Sequence, residues 1–350
     1  NCPTKLFTNF PEMKKSFLFA LALILSVGQV SHAQKKSKKD SEEKNPLESI
    51  SISGLKWREV GPALTSGRIS DFAFNPDNPY EYYVATSSGG VWKTVNSGVT
   101  YEPLLDSQGS YSIGCVTMDP NNSNVIWVGT GENNNQRSVA YGDGVYKSED
   151  GGKSWNHMGL KDSEHIGKII VHPDNSDVVY VAAIGPLWSK GGERGLYKTE
   201  DGGATWTSLI EVDEHTGVND VVMDPRDPNI LYASTFQRRR HVYTYVGGGP
   251  GSGMHKSVDG GATWTKIDKG LPGEELGRIG LAISPANPEI IYAIVEAANG
   301  KGGFFASTNR GASWEKRSSH VTSGNYYQEI IADPVDEHTV YSMDTWMSVT

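Results

Sequence analysis

Cysteine is almost missing from this chain: among 350 residues only Cys2 and Cys115 are present. Cys2 precedes a leader-like stretch, so the rest of the chain has one lone thiol and no internal disulfide. Long apolar runs are equally scarce. The one that stands out, Phe17 to Val27, follows Lys14 and Lys15 and precedes Ser31-His32-Ala33. That order of basic, apolar and small-x-small segments is the pattern of an export signal over 13–33, cut after Ala33, and the run is short for a membrane span. An uncleaved anchor is the other reading of the same residues; no cysteine stands directly after the cleavage point to carry a lipid. Residues 1–12, upstream of Met13, read as translation ahead of the true start. Basic charge is the third deficit. Lys and Arg number 32 against 41 Asp and Glu; without residues 1–33, which hold three lysines and one glutamate, 29 face 40, a net charge of −11. Such a balance argues against a nucleic-acid partner, which needs a basic face. Residues 34–50 carry five lysines and few apolar side chains, and read as a charged, solvated linker.

Glycine and proline are plentiful: 40 Gly and 17 Pro fall between alternating apolar runs, where they make turns. One turn phrase recurs five times, as TVNSGVTY (94–101), SEDGGKSW (148–155), TEDGGATW (199–206), SVDGGATW (257–264) and STNRGASW (307–314). The closing aromatics, Tyr101, Trp155, Trp206, Trp264 and Trp314, are 54, 51, 58 and 50 residues apart. A period near fifty marks an array of supersecondary units.

Aligned on the aromatic, each unit shows an apolar strand ending in a Pro turn, as in FAFNPDNP (72–79) and VVMDPRDP (221–228). A second strand, a third of the type GVYKS, the repeated phrase and a short fourth strand follow. Four-stranded units that cannot bury both faces alone pack radially, so the expected fold is an all-β propeller over 51–350. Five full blades and the first two strands of a sixth are expected. LKWREVG (55–61) has the pattern of a lone fourth strand, which would complete the last blade of a larger propeller; ragged ends of an array that does not close are the alternative. Cys115 falls in an apolar strand and reads as a core thiol.

Within the phrase, Asp or Asn accepts local N–H bonds, glycine permits positive φ, and the aromatic seals the blade. The spacing lacks the alternating ligands of a calcium loop. Asp150, Asp201 and Asp259 are therefore folding devices rather than catalytic or metal-binding groups, and neither metal nor cofactor is expected.

This phrase resembles the Asp-box, or BNR repeat, of sialidases, the luminal domain of sortilin, xyloglucan-cleaving glycosidases and a photosystem II assembly factor. The resemblance covers residues 55–350. It is closest to exported bacterial proteins of the sortilin-like or BNR-repeat glycosyl hydrolase-like type, through 161–173, 193–206 and 238–264. It implies a periplasmic, cell-surface or secreted protein. The xyloglucan-cleaving enzymes have a catalytic Asp before the Gly-Gly of the first blade's second turn; here, in VATSSGGVWK (84–93), that position is Ser87, and a hydroxyl cannot replace a carboxylate base. Their second catalytic Asp would belong to another propeller. The resemblance to sialidases reaches Gly67-Arg68-Ile69-Ser70, where the sialidase motif has Pro in place of Ser70. The same Gly-Arg-Ile recurs at Gly277-Arg278-Ile279, which makes Arg68 a repeat feature.

Function is expected on the face opposite the Asp-box turns, in the loops joining second to third strands. These are 131–144, 185–195 and 236–253, against a tight turn at Ser87–Gly90. They concentrate Arg137, Tyr141, Trp188, Arg194, Arg238, Arg239, Arg240, Tyr243 and Tyr245, a mix of planar aromatics and forked donors suited to a glycan or a polypeptide ligand. Packing against neighbouring loops is the competing role. Glu132 and Asp143 are the carboxylates available for catalysis there. The glycines of 247–253 suit a mobile flap and lack the strand-to-helix context of a phosphate loop. Asp162-Ser163-Glu164-His165 and Asp213-Glu214-His215 precede the third and fourth units; an acid–His cluster is one reading, repeat phase the other. The leading expectation is ligand binding without catalysis; the alternatives are a glycoside hydrolase or lyase, and a scaffold for assembly of an envelope complex.

Overall fold

A computed structural model describes Gly54, residues 67–344 and residues 346–350. The signal, the linker and the expected closing strand at 55–61 lie outside the described residues. The chain divides into units Asn1–Gly61 and Pro62–Thr350, and all described strands belong to the second.

Blade 1 comprises β1 (Ile69–Phe74), β2 (Tyr82–Thr86), β3 (Gly90–Thr94) and β4 (Glu102–Pro103). Blade 2 comprises β5 (Ile113–Asp119), β6 (Asn122–Thr130), β7 (Val145–Ser148) and β8 (Asn156–His157). Blade 3 comprises β9 (Ile166–His172), β10 (Asn175–Ala183), β11 (Gly195–Thr199) and β12 (Thr207–Ile210). Blade 4 comprises β13 (Thr216–Asp224), β14 (Asp227–Gln237), β17 (Gly253–Ser257) and β18 (Thr265–Lys266), with an extra hairpin of β15 (Arg239–Arg240) and β16 (Tyr245–Val246). Blade 5 comprises β19 (Leu276–Ile283), β20 (Ile291–Ala297), β21 (Gly303–Ser307) and β22 (Glu315–Ser318). Blade 6 has three strands, β23 (Glu329–Ala332), β24 (Val340–Met343) and β25 (Ser348–Val349). Each blade is an antiparallel meander in the expected strand order, and the third strand of blade 6 is one more than the repeat pattern indicated.

Apolar layers fill the five junctions between successive blades. Tyr83, Ile113 and Val128 meet between blades 1 and 2, and Cys115, Trp127 and Ile169 between blades 2 and 3. The later layers are built around Leu196 and Val221, Ile279 and Phe305, and Ile294 and Val340. Each fully buried large side chain contributes about 1.5–3 kcal/mol, so the sheets hold one another rather than standing alone. Glycines allow the inner strands to approach: a Cβ on Gly114 would lie 2.0 Å from the Ile166 carbonyl oxygen, and one on Gly280 2.0 Å from that of Gln328.

The repeated phrase forms the same turn in every copy. In blade 3, Asp201 accepts from the Thr199 hydroxyl at 2.7 Å and from the Thr205 amide and hydroxyl at 2.8 and 2.6 Å. Asn96 and Asn309 fill this role in blades 1 and 5. Hydrogen bonds from Ser154, Thr205 and Thr263 hold Asp150, Asp201 and Asp259 down at about 2. The turns also dock on the preceding blade. Tyr83, Tyr180 and Tyr232 donate to Gly151, Gly260 and Arg310 carbonyls of the next blade's turn at 3.1, 2.9 and 3.1 Å. Trp155 and Trp206 donate back to the Leu104 and Met158 carbonyls at 2.9 and 2.6 Å. Thus the aromatic seals the junction between blades.

Candidate functional site

Near the top of the first strands the ladder slips, with register shifts between Ile69 and Asp71, Ile113 and Cys115, and Val218 and Asp220. A bulge re-aims the residue beside it. The position five residues before the turn proline is Asp71, Cys115, Lys168, Asp220, Gly280 and Glu329 in the six blades. Four of these, with Arg278, line a central channel of about 90 Å³. Asp71 and Asp220 each accept an amide of the following blade, Val116 at 3.1 Å and Leu281 at 2.8 Å. Burial raises the pKa of both. Burial pushes Glu329 up to about 7 despite Arg278 and Lys168, while Asp71 holds Lys168 above its ordinary value. Sequence reading passed over these charges, although the fixed distance to the turn proline marks them.

The blade 2 loop crosses the channel mouth. Glu132, 1% exposed, accepts from Arg68 Nε at 2.7 Å and from the Tyr327 hydroxyl at 3.2 Å. Asn133 accepts from Arg278 at its carbonyl (3.0 Å) and donates to Glu329 at 3.2 Å. Asn135 receives Arg238 on its side chain and Arg240 on its carbonyl, and its own amide reaches the Asn325 carbonyl at 2.9 Å. Glu132, Asn133 and Asn135 therefore tie blade 2 to blades 1, 4, 5 and 6. The two Gly-Arg-Ile copies share this purpose, since Arg68 and Arg278 both end on the loop. Ser87 is buried and meets the Tyr327 hydroxyl at 3.1 Å. Burial pushes Tyr327 up to about 12, the wrong direction for a nucleophile.

The predicted ligand residues separate into two groups. Arg194, Arg238 and Arg240 are buried and spend donors on the protein. Arg194 bonds the carbonyls of Gly191 (2.7 Å), Pro186 and Ser189 within its own loop, and Arg238 bonds those of Asn134 and Gly185. Arg240 lies 4.6 Å from the Tyr245 ring centre. Arg239 is half-buried. Arg137, Tyr141, Trp188 and Tyr243 are exposed. The flap expectation for 247–253 is replaced by close packing. The Gly249 amide donates to the Leu276 carbonyl at 3.0 Å, the Gly251 amide to Gln237 at 3.0 Å, and a Cβ on Gly248 would meet Leu276 at 2.7 Å. Gly248 lets backbone fit against backbone, while a Cβ at Gly247, Gly249 or Gly251 would crowd the Tyr245, Gln237 or Thr216 side chain.

Between the blade 2 and blade 3 loops lies an open cleft of about 500 Å³, lined by Tyr141, Asp143, Lys161, Asp162, Glu164 and Ser189, among others. Asp143 is oriented by the Tyr146 hydroxyl, which donates at 2.7 Å. Glu164 has φ 56°, a left-handed backbone that a glutamate seldom adopts, and its carbonyl accepts the Gly142 amide at 2.7 Å. Burial raises the Glu164 pKa against the pull of Arg238 and Arg194. Its neighbour His165 is buried, meets the Glu132 carbonyl at 2.9 Å and is kept neutral by burial and Arg238. Asp162 and Glu164 line the cleft and His165 does not, and among the described residues no group of His, Cys, Asp and Glu is placed to hold a metal ion. No helix among them is long and apolar enough to cross a membrane.

Comparison with known proteins agrees with this architecture. Residues 143–248 match the family profile described as Sortilin, neurotensin receptor 3. The described residues form a β-propeller with Asp-box-like turns. This propeller is 30% identical over 180 residues to a xyloglucanase of Hypocrea jecorina, covering 49% of this chain and 19% of that protein. It is 28% identical over 183 residues to the xyloglucanase Xgh74A of Acetivibrio thermocellus, with the same 49% and 19% coverage. The match thus spans about a fifth of the length of these curated relatives. Among solved structures, the propeller superposes on the GH74 enzyme of Niastella koreensis with TM-score 0.62 and 20% identity, covering 80% of this chain and 44% of that one. An ancestral GH74 enzyme gives TM-score 0.60 at 22% identity over 80% of this chain and 35% of that one. These structural likenesses establish the fold.

Proposed function

We propose that this propeller handles a glycan as part of an exported glycoside hydrolase-like protein, and that the cleft between blades 2 and 3 holds the sugar bond to be cleaved. The observation that carries the reading is the convergence of Asp143 and Glu164 on one open cleft. Glycoside hydrolysis needs one carboxyl that keeps its proton and one carboxylate that acts from the other side of the bond. Glu164, its pKa raised by burial, suits the acid. Asp143, held by Tyr146, suits the base or nucleophile. The exposed ring of Tyr141 gives a sugar an apolar face to rest on. Glu132, by contrast, is committed to Arg68 and Tyr327. The similarity to xyloglucanases supports a xyloglucan-like polysaccharide. Export rests on the signal pattern at 13–33.

Ser87 favours a second reading, in which the propeller binds the glycan and does not cut it. Reducing-end release from xyloglucan by the full-length protein decides between them. Cleavage is expected, with Glu164→Gln and Asp143→Asn each lowering kcat at least about 100-fold, the contribution of a positioned acid or base. Cleavage that both variants retain would remove the cleft from the reaction. Binding of xyloglucan with no release of ends would establish the second reading.

A further inference from the structure

Blade 4 carries a feature that its neighbours lack. Between β14 and β17 the chain rises into the hairpin β15–β16, closed by the tight turn His241–Thr244, whose two ends exchange backbone bonds of 2.8 and 3.3 Å. Its base is anchored on several sides. The Arg240 amide donates to the Leu187 carbonyl at 2.9 Å, the Arg240 guanidinium bonds the Asn135 carbonyl at 2.9 Å and packs over Tyr245, and the packed glycine run follows. The tip is the opposite. Val242 is 85% and Tyr243 84% exposed, and the Tyr243 ring stacks on His241 with centroids 5.4 Å apart and planes 10° from parallel. Stacking on one face fixes the ring and leaves its other face to solvent.

Val242 and Tyr243 are adjacent exposed apolar side chains at the end of an arm whose base is anchored, in one of the long second-to-third-strand loops where contact is expected. We infer that the tip of this hairpin is a remote sugar subsite, in which Tyr243 stacks on a pyranose ring of a neutral polysaccharide chain whose other part lies in the blade 2–blade 3 cleft. The choice of occupant rests on continuity. Leu187, to which the hairpin base is bonded, adjoins exposed Trp188, and the same loop supplies Pro186, Ser189 and Gly192 to the cleft. Tyr141, Trp188 and Tyr243 therefore belong to adjoining loops of three successive blades. The tip itself carries no carboxylate, and its ring offers the flat apolar face that a sugar's C–H face meets. Two contacts on one chain act at high effective concentration, so the remote one raises affinity for polymer and leaves short fragments alone.

This inference rests on the glycan reading of the cleft, and the experiment separates the two. Binding of soluble xyloglucan and of cellotetraose by the full-length protein is measured for wild type, Tyr243→Ala and Tyr243→Phe. Tyr243 is exposed, so neither substitution disturbs the blade core; Tyr243→Ala removes only its stack on His241. Tyr243→Ala is expected to weaken xyloglucan binding roughly tenfold, with cellotetraose unaffected and Tyr243→Phe close to wild type. Equal xyloglucan binding by wild type and Tyr243→Ala overturns the subsite and leaves the cleft standing. An equal loss on both ligands overturns a remote position for Tyr243. Polymer binding that depends on Tyr243, with no cleavage by any variant, supports the subsite while refuting hydrolysis in the cleft. Wild type that binds no glycan overturns both.

Discussion

A carboxylate in this chain takes its role from where its hydrogen bonds come from. Asp201 has three donors from its own turn and is held near 2. Asn serves equally well in blades 1 and 5, because the acceptor oxygen makes the shared contacts. Asp201→Asn should therefore leave the melting temperature within error, whereas Asp201→Ala should lower it, as differential scanning fluorimetry would show. Tyr180→Phe removes one bond to the Gly260 carbonyl and should cost about 1 kcal/mol in a denaturant titration. These roles were legible because the phrase repeats and its geometry is local. Glu132 was different. As a carboxylate in a long loop on the functional face it reads as a catalytic candidate, but its partners Arg68 and Tyr327 are 64 and 195 residues away, and no local pattern announces them.

Among the elements, the loops gained most from the structure. Their lengths and composition point to one face as the expected contact surface, and Tyr141, Trp188 and Tyr243 are exposed. The arginines divide instead by depth. Arg194 shapes its loop, while Arg238 and Arg240 bind the blade 2 loop from beneath. That loop is a cross-tie held at many points, and Arg68 is one of them. Arg68→Ala leaves the buried Glu132 carboxylate without its counter-charge and should cost roughly 3 kcal/mol, with a smaller loss for Glu132→Gln, both read from unfolding midpoints. A comparable loss for both would mean that Arg68 stabilises by other contacts. The 247–253 glycines show the same limit: composition reported conformational freedom, but whether it serves movement or close packing depends on Leu276, which comes from the next blade.

For the molecule as a whole, the channel gathers charge from blades 1, 3, 4, 5 and 6. Glu329 has about a third of its side-chain surface open, but that surface faces the narrow channel, and its pKa is raised from 4.5 to about 7. A carboxyl with a folded pKa above its unfolded value takes up a proton on folding between the two, so its contribution to stability falls as pH rises from about 4.5 to about 7. Asp71 and Asp220 shift in the same direction. Glu329→Gln should then be more stable than wild type above pH 7, match it at pH 4, and show a flatter pH dependence of the unfolding midpoint. A steeper dependence would mean that Arg278 and Lys168, rather than burial, govern the site.

The sequence by itself determined the blades. Strand alternation, the turn prolines and the Asp-box phrase are interactions between near neighbours, so the period of about fifty sets strand order and the core layers follow from it. It also set the expectation of which face carries the long loops. Only the tertiary structure decided which charged residue does what on that face. Glu132 and Asp143 lie in one loop and look alike in sequence, yet one is sealed under Arg68 and Tyr327 while the other opens into a cleft beside Glu164. The reason is physical: burial and charge pairing depend on groups brought together from different blades by ring packing, and these contacts have no fixed spacing along the chain.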